Sequence, residues 1–114
     1  MQAEIVTIGT ELLLGEIVDT NSAWIAQQLT VIGLDLLYTT TVGDNLGRIT
    51  QALAQSIARS DVVITTGGLG PTVDDMTRQG VAAATERELV LDEELVGEIA
   101  TYFGQRGMTM TDNN

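Results

Sequence analysis

Short apolar runs alternate along this chain with stretches whose apolar residues recur at helical spacing. The runs at 3–9, 34–42 and 62–64 are followed by glycine or polar residues and predict strands. The third run consists of β-branched residues and is typical of a strand covered on both faces, as in a parallel sheet. The polar content of the second run indicates a position towards the edge of the sheet.

Four further stretches predict helices. In three of them, apolar side chains recur at intervals of three or four residues, and candidate caps precede the first turn. Trp24, at the start of the first helix, is expected to pack against the sheet. Residues 12–14 are expected to form a short helical turn. The predicted helices cover 21–32, 46–59, 77–85 and a segment that begins after the cap Asp92 and ends near Gly104 or Gly107.

The alternation of strands and helices predicts the fold class. Strand, helix, strand, helix, strand, helix is the order of a three-layer α/β/α sandwich with a mostly parallel sheet and right-handed crossovers. At 114 residues the chain fits one domain, residues 1–114. No strand returns to the sheet after the last helix, so we expect the domain to be incomplete at its C-terminal end.

Composition and charge exclude several functions. Sixteen acidic residues against five arginines give a formal net charge of −11, so no basic patch for polymeric nucleic acid or a membrane surface can form. The chain has no histidine and no cysteine, which removes a Ser-His-Asp triad, a zinc-thiolate site and a cysteine nucleophile. No apolar run approaches about 20 residues and no signal peptide precedes the first strand, so we expect a cytoplasmic protein.

A glycine-rich loop follows the third strand. Gly67, Gly68 and Gly70 lack side chains, so backbone N–H groups can approach a phosphate. Pro71 stiffens the exit of this loop, and Thr72 lies at the entrance to the next helix. We predict a phosphate site at these residues; the alternative is a tight turn needed only for packing. The glycines match neither a P-loop nor a dinucleotide fingerprint, which disfavours a Rossmann dehydrogenase.

Four carboxylates are expected at the same rim of the sheet, because ligands of open α/β sheets bind beyond the carboxyl ends of the strands. Glu11, Asp44, Asp74 and Asp75 would together offer hard oxygen ligands for magnesium, manganese, cobalt or a similar divalent ion. One of Asp74 and Asp75 is expected to cap a helix, and the other to bind metal or orient a water. Alternatively, Glu11 is a solvated loop acid and Asp44 closes a turn.

Further ligand contacts are predicted beside these groups. Gly9 and Thr10 lie at the carboxyl end of the first strand, on the predicted rim. Asn21 and Ser22 follow a long loop and either contact the ligand or cap the helix that they begin. Arg78 is the base closest to the glycines and either contacts phosphate or is a surface arginine.

Several of these sequence motifs resemble those of a known protein family. Residues 6–15, 19–22, 42–44 and 65–77 resemble the N-terminal domain of the competence/damage-inducible CinA proteins. That domain is related to the molybdopterin-binding MoaB and MogA proteins.

The loop matches the MoaB and MogA pattern with one departure. These proteins have Gly-Gly-Thr-Gly, then three residues, an Asp and a Thr two positions later. Here Leu69 replaces the first Thr, whereas Asp75 and Thr77 keep the rest, which adds Thr77 to the ligand-binding set.

The resemblance implies a three-layer domain, often homo-oligomeric, that binds a phosphate-bearing pterin or nucleotide at the glycines. It also implies metal-dependent ADP-ribose pyrophosphatase activity, with nicotinamide mononucleotide deamidation in a separate C-terminal domain beyond these residues. The leading hypothesis is therefore hydrolysis, in which loop amides hold the phosphates, Asp75 with Asp44 or Glu11 holds the metal, and a metal-bound water attacks. The alternatives are a non-catalytic binder of molybdopterin-type ligands and a structural or oligomerising module.

Overall fold

A computed structural model describes residues 1–108 of the chain. Strands and helices alternate in the predicted order, and the short turn after the first strand is a helix of its own. The elements are β1 (Gln2–Ile8), α1 (Thr10–Leu13), α2 (Thr20–Val31), β2 (Asp35–Val42), α3 (Leu46–Arg59), β3 (Val62–Thr66), α4 (Thr77–Thr85) and α5 (Glu93–Gln105).

The three strands form one parallel sheet in the order β2-β1-β3. Val6 of β1 stands opposite Thr40 of β2 on one side and Thr65 of β3 on the other. β1 is therefore the central strand, and its residues from Ala3 to Ile8 are all buried. The predicted α/β fold with a parallel sheet and the predicted edge position of β2 are confirmed.

β3 is less covered than its composition indicates. Val63 packs on one face of the sheet and Val62 and Ile64 on the other, as predicted, yet every residue of the strand is only partly buried. β3 pairs with β1 alone among the described strands, so its second edge has no neighbouring strand there. This open edge leaves the residues of β3 partly exposed. A run of β-branched residues indicates that both faces of a strand are covered, but it does not indicate how many strands pair with that strand.

Two apolar clusters form the core, one on each face of β1. Val6 and Ile8 pack with Ile49 and Leu53 of α3, whereas Ile5 packs with Leu29 of α2 on the opposite face. The sheet is thus covered by helices on both sides, as the three-layer prediction requires.

Side-chain caps define where three of the helices begin. Asp19 accepts a hydrogen bond from the Ser22 amide at 3.0 Å, Asn45 one from the Arg48 amide at 3.0 Å, and Asp92 one from the Leu95 amide at 3.2 Å.

α5 has no buried residue. No helix in the described part of the chain is long and apolar enough to cross a membrane.

Trp24 does not pack against the sheet, contrary to the prediction. Its side chain is 63% exposed, because Ile25 and Leu29 occupy the face of α2 that contacts the core. At 3.6 residues per turn, Trp24 points about 100° away from Ile25, and the tryptophan therefore lies outside the covered stripe.

An ion pair with a buried carboxylate joins β1 to the end of α3. Glu4 on β1 is fully buried, and Arg59 at the end of α3 donates to its two oxygens at 2.9 and 2.8 Å. The Arg59 guanidinium also stacks over the Tyr38 ring, 3.7 Å from its centroid. The hydrogen bonds from Arg59, helped by Ser60 and opposed by burial, hold the pKa of Glu4 below its usual value of 4.5.

Candidate functional site

The loops after β1 and β2 meet at the carboxyl edge of the sheet, as predicted. The Thr10 amide donates to the Asp44 carboxylate at 3.2 Å, and the Asp44 amide donates to the Thr10 hydroxyl at 3.0 Å. The Gly9 amide also donates to the Val42 carbonyl at 2.9 Å. Gly9, Thr10 and Asp44 are therefore brought together, and two reciprocal hydrogen bonds hold the two loops in register.

Residues 67–70, the glycine loop, take a conformation that only glycine adopts easily. Gly67 and Gly68 have φ angles of 86° and 68°. A Cβ atom at Gly67 would collide with the Ile8 carbonyl oxygen, and one at Gly68 would collide with the Thr77 hydroxyl. The loop backbone therefore lies directly against the end of β1, with no side chain between them.

Thr77 connects the glycine loop to α4. Its hydroxyl donates to the Gly67 carbonyl at 2.7 Å, and its amide donates to the Gly68 carbonyl at 3.1 Å. The residue is only 1% exposed, so its hydroxyl braces the loop from behind. This contact gives the threonine of the motif a structural role, whereas the family resemblance implied a ligand contact.

The first turn of α4 has no side-chain cap. Met76, the residue before the helix, supplies no side-chain hydrogen bond to it, and the first turn contains no acidic residue. The Thr77 amide already donates to the Gly68 carbonyl, but the other N–H groups of a first helical turn and the helix dipole attract negative charge. Arg78, in the same turn, is exposed and adds a positive side chain. In α2, α3 and α5 an Asp or Asn side chain already occupies the equivalent place.

Asp75 lies in the segment between the glycine loop and α4 and accepts hydrogen bonds from within that segment. Its Oδ2 accepts hydrogen bonds from the Thr72 hydroxyl at 2.7 Å and the Thr72 amide at 3.0 Å. These bonds, with one from the Gly70 amide, hold the pKa of Asp75 below its usual value. Asp74 is exposed. Neither acid caps α4, because the N-cap position is Met76 and no side chain caps the helix, so the predicted cap at Asp74 or Asp75 is wrong.

Asn21 and Ser22 lie inside the first turn of α2 and do not cap it, because the cap is Asp19, so the predicted cap at these two residues is wrong. Asn21 is exposed, whereas Ser22 is buried with its hydroxyl 2.7 Å from the Thr7 hydroxyl. Thr7 in turn donates to Asp19 at 3.0 Å. Burial raises the pKa of Asp19, but the hydrogen bonds from Ser22 and Thr7 outweigh it and leave that pKa lowered. Sequence analysis missed Thr7, because a threonine inside an apolar strand carries no sign of its partner.

The predicted metal ligands do not form one cluster. Within residues 1–108, no group of three or more acidic side chains is placed to hold a metal ion. Asp44 binds the Thr10 amide and Asp75 binds Thr72, so each carboxylate already has a backbone partner. Glu11 is half-buried beside the Gly9 backbone. These residues therefore do not fit a resident divalent cation, which requires several converging oxygen ligands.

A cavity of about 260 Å³ lies between the Asp75 segment and α4. The amide oxygen of Gln79, which lines it, is buried and has no hydrogen-bond partner among the described residues. Sequence analysis missed Gln79, since a glutamine in a helix is usually a solvated side chain. The cavity is lined by Pro71, Thr72, Val73, Asp75, Arg78 and Gln79.

Comparison with known proteins agrees with this geometry. Residues 4–113 match the family model described as "Probable molybdopterin binding domain". The chain belongs to this family. It is 53% identical over 114 residues to a competence-damage inducible protein of Halothermothrix orenii and 50% identical over 113 residues to one of Oceanobacillus iheyensis.

Solved structures give the same result. The CinA protein of Thermoplasma acidophilum superposes with a TM-score of 0.90 at 37% identity, covering 98% of this chain and 65% of that chain. A MogA structure superposes with a TM-score of 0.67 at 28% identity, covering 73% of this chain and 55% of that chain. The chain spans about 28% of the length of the Halothermothrix orenii relative. It corresponds to the N-terminal, MoaB/MogA-like domain of a CinA protein.

Proposed function

We propose that this chain binds a phosphate-bearing small molecule, of the molybdopterin or nucleotide class, on the glycine loop and the first turn of α4. The observation that carries the proposal is the start of α4, where no side chain caps the helix and where Thr77 holds the backbone of Gly67 and Gly68 against the first turn. A phosphate placed there would receive backbone N–H groups and the positive end of the helix dipole. Arg78 would offset part of the net charge of −11.

The finer proposal is hydrolysis of the pyrophosphate bond of an ADP-ribose-like nucleotide, with water added to give AMP and ribose 5-phosphate. It is motivated by the resemblance to the CinA domain, in which Asp75 and Asp74 are the candidate acids for orienting the attacking water. Asp74 is the exposed acid beside Asp75.

The reaction is expected to need magnesium, manganese or cobalt, which would polarise a phosphoryl oxygen and lower the pKa of a bound water. We propose that this cation enters with the pyrophosphate, since magnesium sites are often completed by substrate phosphates and only one or two carboxylates.

A second candidate is a non-catalytic binder of molybdopterin-type ligands, which the description of the matching family model favours. Homo-oligomer formation, a cytoplasmic location and a C-terminal deamidase domain in the whole protein remain proposals that rest on the CinA resemblance.

The test measures ADP-ribose binding by calorimetry and AMP release by chromatography, with magnesium or cobalt present. Gly68→Val should weaken binding at least tenfold, because a side chain at φ 68° would displace the loop from Thr77. Gly97→Val is the matched control, since a Cβ there meets no atom within 4 Å. AMP release supports hydrolysis, and binding of molybdopterin without turnover of ADP-ribose supports the second candidate. If the wild-type chain binds neither ligand, both proposals are wrong and a structural module is favoured.

A further inference from the structure

We propose that Asp75 and Asp44 are positioning residues, which hold the backbone of the two ligand-facing loops through hydrogen bonds and do not ligate a resident metal ion. The consequence for ligand affinity rests on the proposed phosphate site. The consequences for metal binding and for loop structure do not depend on it.

The Asp75 contact has the geometry of a loop anchor. One carboxylate oxygen, Oδ2, receives both the hydroxyl and the amide of Thr72, and the Asp75 amide donates back to the Thr72 carbonyl at 3.1 Å. Three hydrogen bonds thus join the two ends of a four-residue turn. Gly70 leaves room for this carboxylate, since a Cβ there would lie 2.7 Å from Oδ2. The segment between the glycines and α4 is therefore folded around Asp75.

Asp44 makes an equivalent contact between the loops that follow β1 and β2. The backbone and side chain of Asp44 bind the side chain and backbone of Thr10 in a reciprocal pair, at 3.0 and 3.2 Å. Gly43 lies against the Thr10 hydroxyl, where a Cβ would come within 3.3 Å. This pair fixes the loop after β1 against the loop after β2, at the same edge of the sheet as the glycine loop after β3.

These hydrogen bonds compete with metal binding. An oxygen that already accepts two hydrogen bonds, as Asp75 Oδ2 does, has little remaining capacity to bind a cation. A magnesium ion needs six oxygens in octahedral arrangement, and no three acidic side chains of the described residues converge. Asp44 and Asp75 therefore act on the loops that they bind.

Asparagine separates the two roles. Asp75→Asn keeps a carbonyl oxygen that can accept from Thr72, but it removes the charge that a cation requires. Asp75→Ala removes the acceptor as well. A loop anchor is rescued by asparagine, whereas a metal ligand is lost in both variants.

Three measurements on the purified chain test the proposal. Binding of Mn²⁺ alone is followed by water-proton relaxation, exchange of the Thr72 amide by NMR in EDTA, and ADP-ribose affinity by calorimetry in EDTA. We expect no Mn²⁺ binding below millimolar concentration. The Thr72 amide should exchange at least tenfold faster in Asp75→Ala and within threefold of wild type in Asp75→Asn, and ADP-ribose affinity should follow the same order.

Asp74→Asn is the charge-matched control for amide exchange, since it removes a neighbouring negative charge without touching the Thr72 bonds. If Asp75→Ala does not fold, Thr72→Val supplies the same test, because it removes the hydroxyl donor and should speed exchange of its own amide. Micromolar Mn²⁺ binding that Asp75→Asn abolishes would overturn the proposal, as would equal exchange rates in Asp75→Ala and wild type. If ADP-ribose does not bind the wild-type chain, the proposed function fails, while amide exchange and Mn²⁺ binding still decide the loop assignment.

Discussion

The buried pair of Glu4 and Arg59 offers the sharpest test of the core. Removing one partner of a buried ion pair costs about 3 to 5 kcal/mol, because the other charge stays buried and unpaired. Arg59 is 34% exposed and Ser60 still donates to Glu4, so water and the serine relieve part of this cost. The stacking on Tyr38 adds about 0.5 to 1 kcal/mol. We therefore expect Arg59→Ala to lower the free energy of unfolding by about 2 to 3 kcal/mol.

Urea denaturation followed by circular dichroism measures this change, and a cycle with Glu4→Gln isolates the pairing. In the double variant, the loss from Arg59→Ala should shrink by at least half, because the buried group is then neutral. A loss below about 0.5 kcal/mol in the single variant, the size of an exposed pair, would refute the reasoning.

The same pair gives a dependence on pH. The pKa of Glu4 is lower in the folded chain than its usual value of 4.5. Its contribution to stability is therefore complete above the unfolded pKa and is lost as pH falls through the folded pKa. Wild type should lose stability on acidification below about pH 4.5 more steeply than Glu4→Gln. Equal slopes for the two proteins would contradict the assignment.

Two further predictions concern helix packing and capping. Gly80→Ala should destabilise the fold by about 1 to 2 kcal/mol, because its Cβ would collide with Ile49 where α4 crosses α3. Gly97→Ala on α5 should instead stabilise the fold by up to about 1 kcal/mol, because its Cβ meets no atom and alanine favours a helix over glycine. Thermal denaturation compares the two, and a Gly80→Ala protein as stable as Gly97→Ala would contradict the packing. Asp19→Ala should cost about 1 to 2 kcal/mol through loss of the α2 cap and of the Thr7 bond. Urea denaturation checks this, and an unchanged midpoint would show that the cap is dispensable.

The local features of the chain were predictable from the sequence. Helical spacing placed α3, and Asp92 caps α5 as predicted. The glycine loop was also visible, because only glycine tolerates the φ angles of 86° and 68° that the backbone adopts there. Such features depend on residues within a few positions of one another, so the sequence records them directly.

Side-chain partners across the fold were decided by tertiary structure. Glu4 and Arg59 are 55 positions apart, and Thr10 and Asp44 are 34 apart, so no spacing rule relates them. The sequence correctly predicted that acidic residues lie at this edge of the sheet. It did not determine whether their carboxylates converge on one metal ion or accept hydrogen bonds from nearby backbone amides. Composition and period determine which face and which end of the sheet a residue occupies. Only the packed structure determines what it touches, because hydrogen bonds form over about 3 Å and element placement alone does not reach that precision.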